Sequence, residues 1–242
     1  MEHTQVALVT GGMDGLGTAI CRCLYDAGLR VATTYGMAEP APQGWLAAQR
    51  DEGYRFSAYK AEVGDYADSE WMVQKLLADM GRLDVLVNYT AIERPLSLAR
   101  MERADWRAVL DGRLGPMYNL SRQAIEPMLA QRWGRIINVA TSPGLCAQAE
   151  QVNHGAANAA MHGFSKALAR ELAAKGVTVN TVSPGALRLD LGAPQAAPAA
   201  HVPVGRLGEA DEVGALVAYL ASEQAGFITG ANIAINGGQH MC

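Results

Sequence analysis

Shortly after its start the chain reads Thr10-Gly11-Gly12-Met13-Asp14-Gly15-Leu16-Gly17, directly behind the apolar run Val6–Val9. Glycines at this spacing suit a cradle for phosphate. Gly11 lets the chain turn sharply off a strand, Gly15 removes a side chain where a pyrophosphate approaches, and Gly17 lets the following helix pack against the strand. The helix start adds unpaired N–H groups and the positive end of its dipole. A strand before and a helix after distinguish a dinucleotide site from a plain tight turn. Gly11, Gly12, Gly15, Leu16 and Gly17 are therefore the expected cofactor contacts.

The second apolar run ends at Thr34-Tyr35-Gly36. No Asp or Glu stands there to hold a ribose 2′-hydroxyl, which weakens an NAD reading and leans toward NADP(H). No Arg follows at once for a 2′-phosphate. The next basic residue, Arg50, reads as a solvated helix charge.

Elements that alternate along the whole chain must position this turn. Short apolar runs, expected as strands, fall at Val6–Val9, Arg30–Thr34, Tyr54–Ala58, Leu83–Val87, Arg135–Val139, Val177–Val182 and Asn232–Ile235. Several are apolar at nearly every position, as strands covered on both faces are. Helices are expected at Gly15–Ala27, Ser69–Met80, Val152–Lys175 and Ala210–Ser222. Gly28, Gly81 and Gly176 stand as stop signals after the first three. Trp106–Ala130 also reads as helical, bent or divided by Pro116 and Pro127. The pattern predicts an α/β fold: one Rossmann-like, doubly wound parallel sheet of about seven strands, a single domain over residues 1–242. Leu191–Pro203, with three prolines, predicts an extended or mobile surface loop.

Bulk properties narrow the class. Hydrophobic residues make up 50% of the 242 residues, charged residues 18%, and the net charge is −4. This composition supports a large core and opposes disorder. No basic stripe suggests nucleic acid as a partner. No signal peptide or apolar run of membrane-spanning length is evident, so a cytoplasmic protein without membrane contact is expected. Cys21, Cys23, Cys146 and Cys242 read as free thiols in a reducing compartment. The histidines fit no metal spacing.

The whole chain resembles the short-chain dehydrogenase/reductase superfamily and, within it, the acetoacetyl-CoA reductases, with 3-oxoacyl-ACP reductases somewhat further off. The stretches VTGGMDGLGTAIC, GRLDVLVN, WGRIINVA, HGFSKALARELAAKGVTVNTVSPG and NGGQHM carry the resemblance. It implies a Rossmann-like fold, an NADP(H) cofactor, a β-oxoacyl thioester substrate and a homotetramer. It extends the cofactor contacts to Glu62 (usually Asp or Asn), Val63, Asn88, Pro184 and Gly185. The family's Asn-Asn-Ala-Gly falls on Asn88-Tyr89-Thr90-Ala91, and its threonine beside the nicotinamide falls on Leu189. Two glutamines flanking the acyl site fall on Gln148 and Gln151.

The resemblance also implies an altered reaction centre. The family reduces ketones with Asn, Ser, Tyr and Lys. Those positions hold Arg113, Thr141, His154 and Asn158 here. By residue type, His154 could exchange a proton near neutrality, since free imidazole has a pKa of about 6.5. It could equally just fill the tyrosine's space. Thr141 could orient a carbonyl, Asn158 could hydrogen-bond a ribose, and Arg113 could hold a carboxylate or an oxyanion. Three functions stay open: a diverged reductase; a non-redox enzyme using His154 and Thr141 for acid–base work; or an inactive subunit or nucleotide-binding partner of an active paralogue, in a mixed oligomer.

Overall fold

The computed structural model describes residues 4–37, 41–140, 149–188 and 202–241. The described residues form nine strands: β1 (Val6–Val9), β2 (Arg30–Tyr35), β3 (Phe56–Lys60), β4 (Val85–Asn88), β5 (Gly134–Val139), β6 (Val177–Pro184), β7 (Leu187–Arg188), β8 (Gly208–Glu209) and β9 (Asn232–Ile235). Seven form one parallel sheet in the order β3-β2-β1-β4-β5-β6-β9, while β7 and β8 pair apart from it. Six helices cover the sheet: α1 (Gly15–Asp26), α2 (Gln43–Asp51), α3 (Tyr66–Met80), α4 (Arg103–Gln131), α5 (Val152–Leu172) and α6 (Ala210–Ala221).

Successive strand residues point to opposite faces, and both faces are covered. Val6, Leu8, Leu86, Ile136 and Val179 pack with Met72 and Leu76 of α3, Leu120 and Met128 of α4 and Leu172 of α5. Ala7, Val9, Val87, Ile137 and Val139 pack with Leu16, Ile20 and Leu24 of α1 and Val213 and Val217 of α6. Two-sided burial is why β1, β4, β5 and β6 are buried at every position. The order reverses at β1, where β2 lies on one side and β4 on the other. A crevice opens at the carboxyl ends of the strands at such a point.

The seven sheet strands match expectation, with β3 and β4 each starting two residues later than the sequence suggested. Two expectations need correction. Trp106–Ala130 is neither divided nor capped at its prolines: α4 runs unbroken from Arg103 to Gln131 through Pro116 and Pro127. Its start is fixed by a reciprocal capping box between Glu102 and Asp105. Helix α2 was not expected as an element, and Arg50 sits exposed in its last turn. The Pro/Ala-rich loop lies outside the described residues except for Val202 and Pro203. No helix among the described residues is long and apolar enough to cross a membrane.

Candidate functional site

The glycine turn forms as expected. Gly11 takes a φ of +61°, a left-handed conformation that suits glycine. A Cβ on Gly17 would overlap the Gly11 carbonyl, so strand and helix meet there backbone to backbone. The turn is tied to its neighbours by side-chain hydroxyls. The Gly12 N–H donates to Thr33 Oγ1 (3.0 Å). The Thr10 hydroxyl donates to the Tyr89 carbonyl (2.7 Å) and accepts from the Tyr89 N–H (2.8 Å), joining the ends of β1 and β4.

A cavity of about 640 Å³ opens beside this turn. Gly11, Asp14, Thr34, Glu62, Val63 and Tyr89 are among the residues on its wall, with Ile92, Gly112 and Pro116 at its far end. Of the expected cofactor contacts, Gly11, Glu62 and Val63 reach the wall. Gly15 lines an adjoining groove. Gly12, Leu16 and Gly17 are buried behind the turn. Asn88 is buried at the tip of β4, where its amide donates to Asn138 Oδ1 (2.8 Å) while its own Oδ1 has no partner. Pro184 and Gly185 are not on the cavity wall. Gly185 is held at the end of β6 by its N–H bond to the Ile235 carbonyl (2.9 Å).

Three of the four residues expected at the altered reaction centre, Arg113, His154 and Asn158, lie buried on α4 and α5. Arg113 is 2% exposed, and its Nη1 donates to Asn158 Oδ1 at 3.0 Å. Its Nε donates to the Ile92 carbonyl (3.2 Å), while Nη2 is buried with no hydrogen-bond partner. His154 is 1% exposed, and its Nδ1 lies 3.2 Å from Gln151 Oε1. Its backbone N–H is held by Asn153 Oδ1 at 2.8 Å. Burial and, second, the Arg113 charge push the imidazole down to about 4. His154 is therefore neutral at pH 7. Gln151, expected at the acyl site, stands one turn before His154 and places its Oε1 against that ring. Thr141, Gln148 and Leu189 lie outside the described residues, as do Cys146 and Cys242.

Two wall residues were missed from sequence. Asp14 caps α1, its Oδ1 accepting the Gly17 N–H at 2.8 Å. An Asp three residues before Gly17 is itself an N-cap signal and could have been read as one. Tyr89 is buried, packs its ring over Gly11, and directs its hydroxyl to the Asp14 carboxylate. Burial and that carboxylate push the phenol above its ordinary range, so it stays protonated and donates.

Among known proteins, the family model described as enoyl-(acyl carrier protein) reductase matches residues 11–240. The chain belongs to the short-chain dehydrogenase/reductase family. Acetoacetyl-CoA reductase of Cupriavidus necator is 41% identical over 242 residues, 98% of each chain. Nodulation protein G of Azospirillum brasilense is 44% identical over 244 residues, 97% of each. The 3-oxoacyl-(acyl-carrier-protein) reductase of Escherichia coli is 36% identical over 242 residues, again 98% of each. As a short-chain dehydrogenase/reductase, the chain has a seven-stranded parallel sheet with the glycine turn directly after β1.

Proposed function

We propose that the protein binds a nicotinamide dinucleotide in the cavity beside Gly11 and acts on the carbonyl or alcohol of an acyl thioester. The observation that carries this reading is the cavity at the sheet's reversal point, with the glycine turn at one end and the Arg113–Asn158–His154 cluster behind the other. The residues fit the group in shape: the crowding at Gly17 keeps the turn free of side chains, and the orphaned Asn88 Oδ1 offers an acceptor at the strand tips. A nicotinamide bound there supplies or takes a hydride. The resemblance implies NADP(H); the charges on this cavity oppose the phosphorylated form.

The chain's own residues then divide the work differently from the relatives. Arg113 is the buried cation behind the cavity wall at Gly112, and its Nη2 has no hydrogen-bond partner among the described residues. His154, neutral at pH 7, takes the hydroxyl proton of an alcohol as its hydride leaves for the nicotinamide, and in the reductive direction the protonated imidazole returns that proton to the alkoxide. Asn158 positions Arg113 and remains a candidate for a ribose hydroxyl. Thr141 is proposed to orient the reacting oxygen, and Gln148 to flank the acyl group. A homotetramer, or a mixed oligomer with a complete paralogue, belongs to the same proposal, as does a cytoplasmic location.

A second reading is favoured by the neutral His154: a nucleotide-binding subunit with no turnover of its own. Fluorescence titration with reduced dinucleotide, followed by turnover with acetoacetyl-CoA, separates the two. The first reading expects binding by the wild type and by His154→Ala alike, with consumption of the reduced dinucleotide lost in His154→Ala. Binding without consumption of any β-oxoacyl thioester establishes the second. Absence of binding removes both and leaves non-redox acid–base chemistry by His154 and Thr141.

A further inference from the structure

We infer that Asp14 sets the phosphate preference of the cavity and selects the dinucleotide lacking a 2′-phosphate, NAD(H), against NADP(H). The inference rests on the dinucleotide reading of the cavity. It reverses the lean toward NADP(H) drawn from the missing acid at the tip of β2.

Two carboxylates, Asp14 and Glu62, stand on the cavity wall, and no Lys or Arg is among the described residues that line it. Asp14 is fixed there by two donors, the Gly17 N–H at 2.8 Å and the Tyr89 hydroxyl. It also sits at the α1 N-terminus, where the helix dipole otherwise attracts anions. The wall at Thr34 and Gly36 belongs to the same cavity. Any ligand group lying between the α1 turn and the β2 tip therefore meets negative charge.

The cations nearby do not offset this. The adjoining groove shares Asp14 and holds Arg22 and Arg188. Arg22 is paired with Glu52 at 2.7 Å and Arg188 with Glu209 at 3.5 Å, and Asp211 lines the same groove. A 2′-phosphate adds roughly 1.5 to 2 negative charges at neutral pH. The pyrophosphate of both cofactors is common to the comparison, so it cancels. The extra phosphate is repelled without a cation to receive it, and discrimination of about tenfold or more is expected.

The test is a fluorescence titration of the full chain with NADH and with NADPH, for the wild type, Asp14→Asn and Glu62→Gln. Asp14→Asn removes the charge but keeps a capping oxygen for Gly17, so the helix start is retained. The expected result is NADH binding about tenfold or more tighter than NADPH in the wild type, with Asp14→Asn closing most of the gap by tightening NADPH alone. Added salt should strengthen NADPH binding to the wild type, because screening weakens a repulsion. Equal binding, or tighter NADPH binding that Asp14→Asn leaves unchanged, overturns the assignment while the dinucleotide site stands. If neither cofactor binds any of the three folded proteins, the site reading fails and takes the assignment with it.

Discussion

Arg113 on α4 donates from Nη1 to the Asn158 side-chain oxygen on α5 at 3.0 Å, with both side chains buried. A guanidinium costs several kcal/mol to bury without compensation. Here Asn158 and the Ile92 carbonyl supply part of that compensation, and Nη2 is left over. The cluster is thus poised around a charge that is only partly satisfied within the protein.

Removing either partner should expose that dependence. Asn158→Ala is expected to lower stability by about 1.5 to 3 kcal/mol, the usual range for a hydrogen bond to a charged group. Arg113→Met should be milder than the loss of its partner, because an apolar side chain of similar length needs no compensation. In the double variant the penalty of Asn158→Ala should shrink, giving a coupling of about 0.5 to 3 kcal/mol. Urea unfolding of the four proteins measures it, and additive effects would show that the contact carries no energy.

His154 gives the protein a pH signature. Its pKa lies at about 4 in the fold, below its ordinary value of 6.5. Between these values the unfolded chain binds a proton that the folded chain refuses, so stability rises with pH through this window. Stability present above pH 6.5 is lost as pH falls toward 4, by about 3 kcal/mol for this group. His162 adds a dependence of the same sign, since burial and Lys166 hold it below its ordinary value. His154→Gln should flatten the slope between pH 4.5 and 6.5 and leave the remainder due to His162. Unfolding midpoints across that range test it, and an unchanged slope in His154→Gln refutes the assignment.

Gly17 tests the turn itself. A methyl there meets the Gly11 carbonyl, which is backbone and cannot swing aside. Gly17→Ala should cost about 2 kcal/mol or more and abolish dinucleotide binding. Gly28→Ala is a useful contrast: its φ of +92° strains a side chain, but nothing crowds the Cβ. It should lose stability and keep binding. Thermal unfolding and NADH titration read both.

The scaffold was largely legible because its signals are local. The apolar runs of β1, β5 and β6 and the glycines after α1 and α3 announce their elements without knowledge of the rest. Pro116 and Pro127 argue for a bend or a break in α4, whereas packing of Leu120, Ala124 and Met128 against the sheet keeps the helix undivided through them. The β3 and β4 starts were off because Tyr54 and Leu83 suit a strand by type, while pairing decides where a ladder begins. The site was less legible. The Asp14–Tyr89 contact joins residues far apart in sequence, and the burial that neutralises His154 is a property of α4 and α5 together. Gln151 could not be assigned to His154 from spacing alone, since a glutamine at the start of a helix has many possible partners.

The two hydrophobic layers on either face of the sheet include none of Arg113, His154 or Asn158. Exchanges among these three leave both layers untouched, although each carries a stability cost of its own. A chain with this sheet can therefore carry different residues between α4 and α5, provided that buried charge stays compensated. Ancestry and chemistry in this lineage can part company without any trace in the architecture.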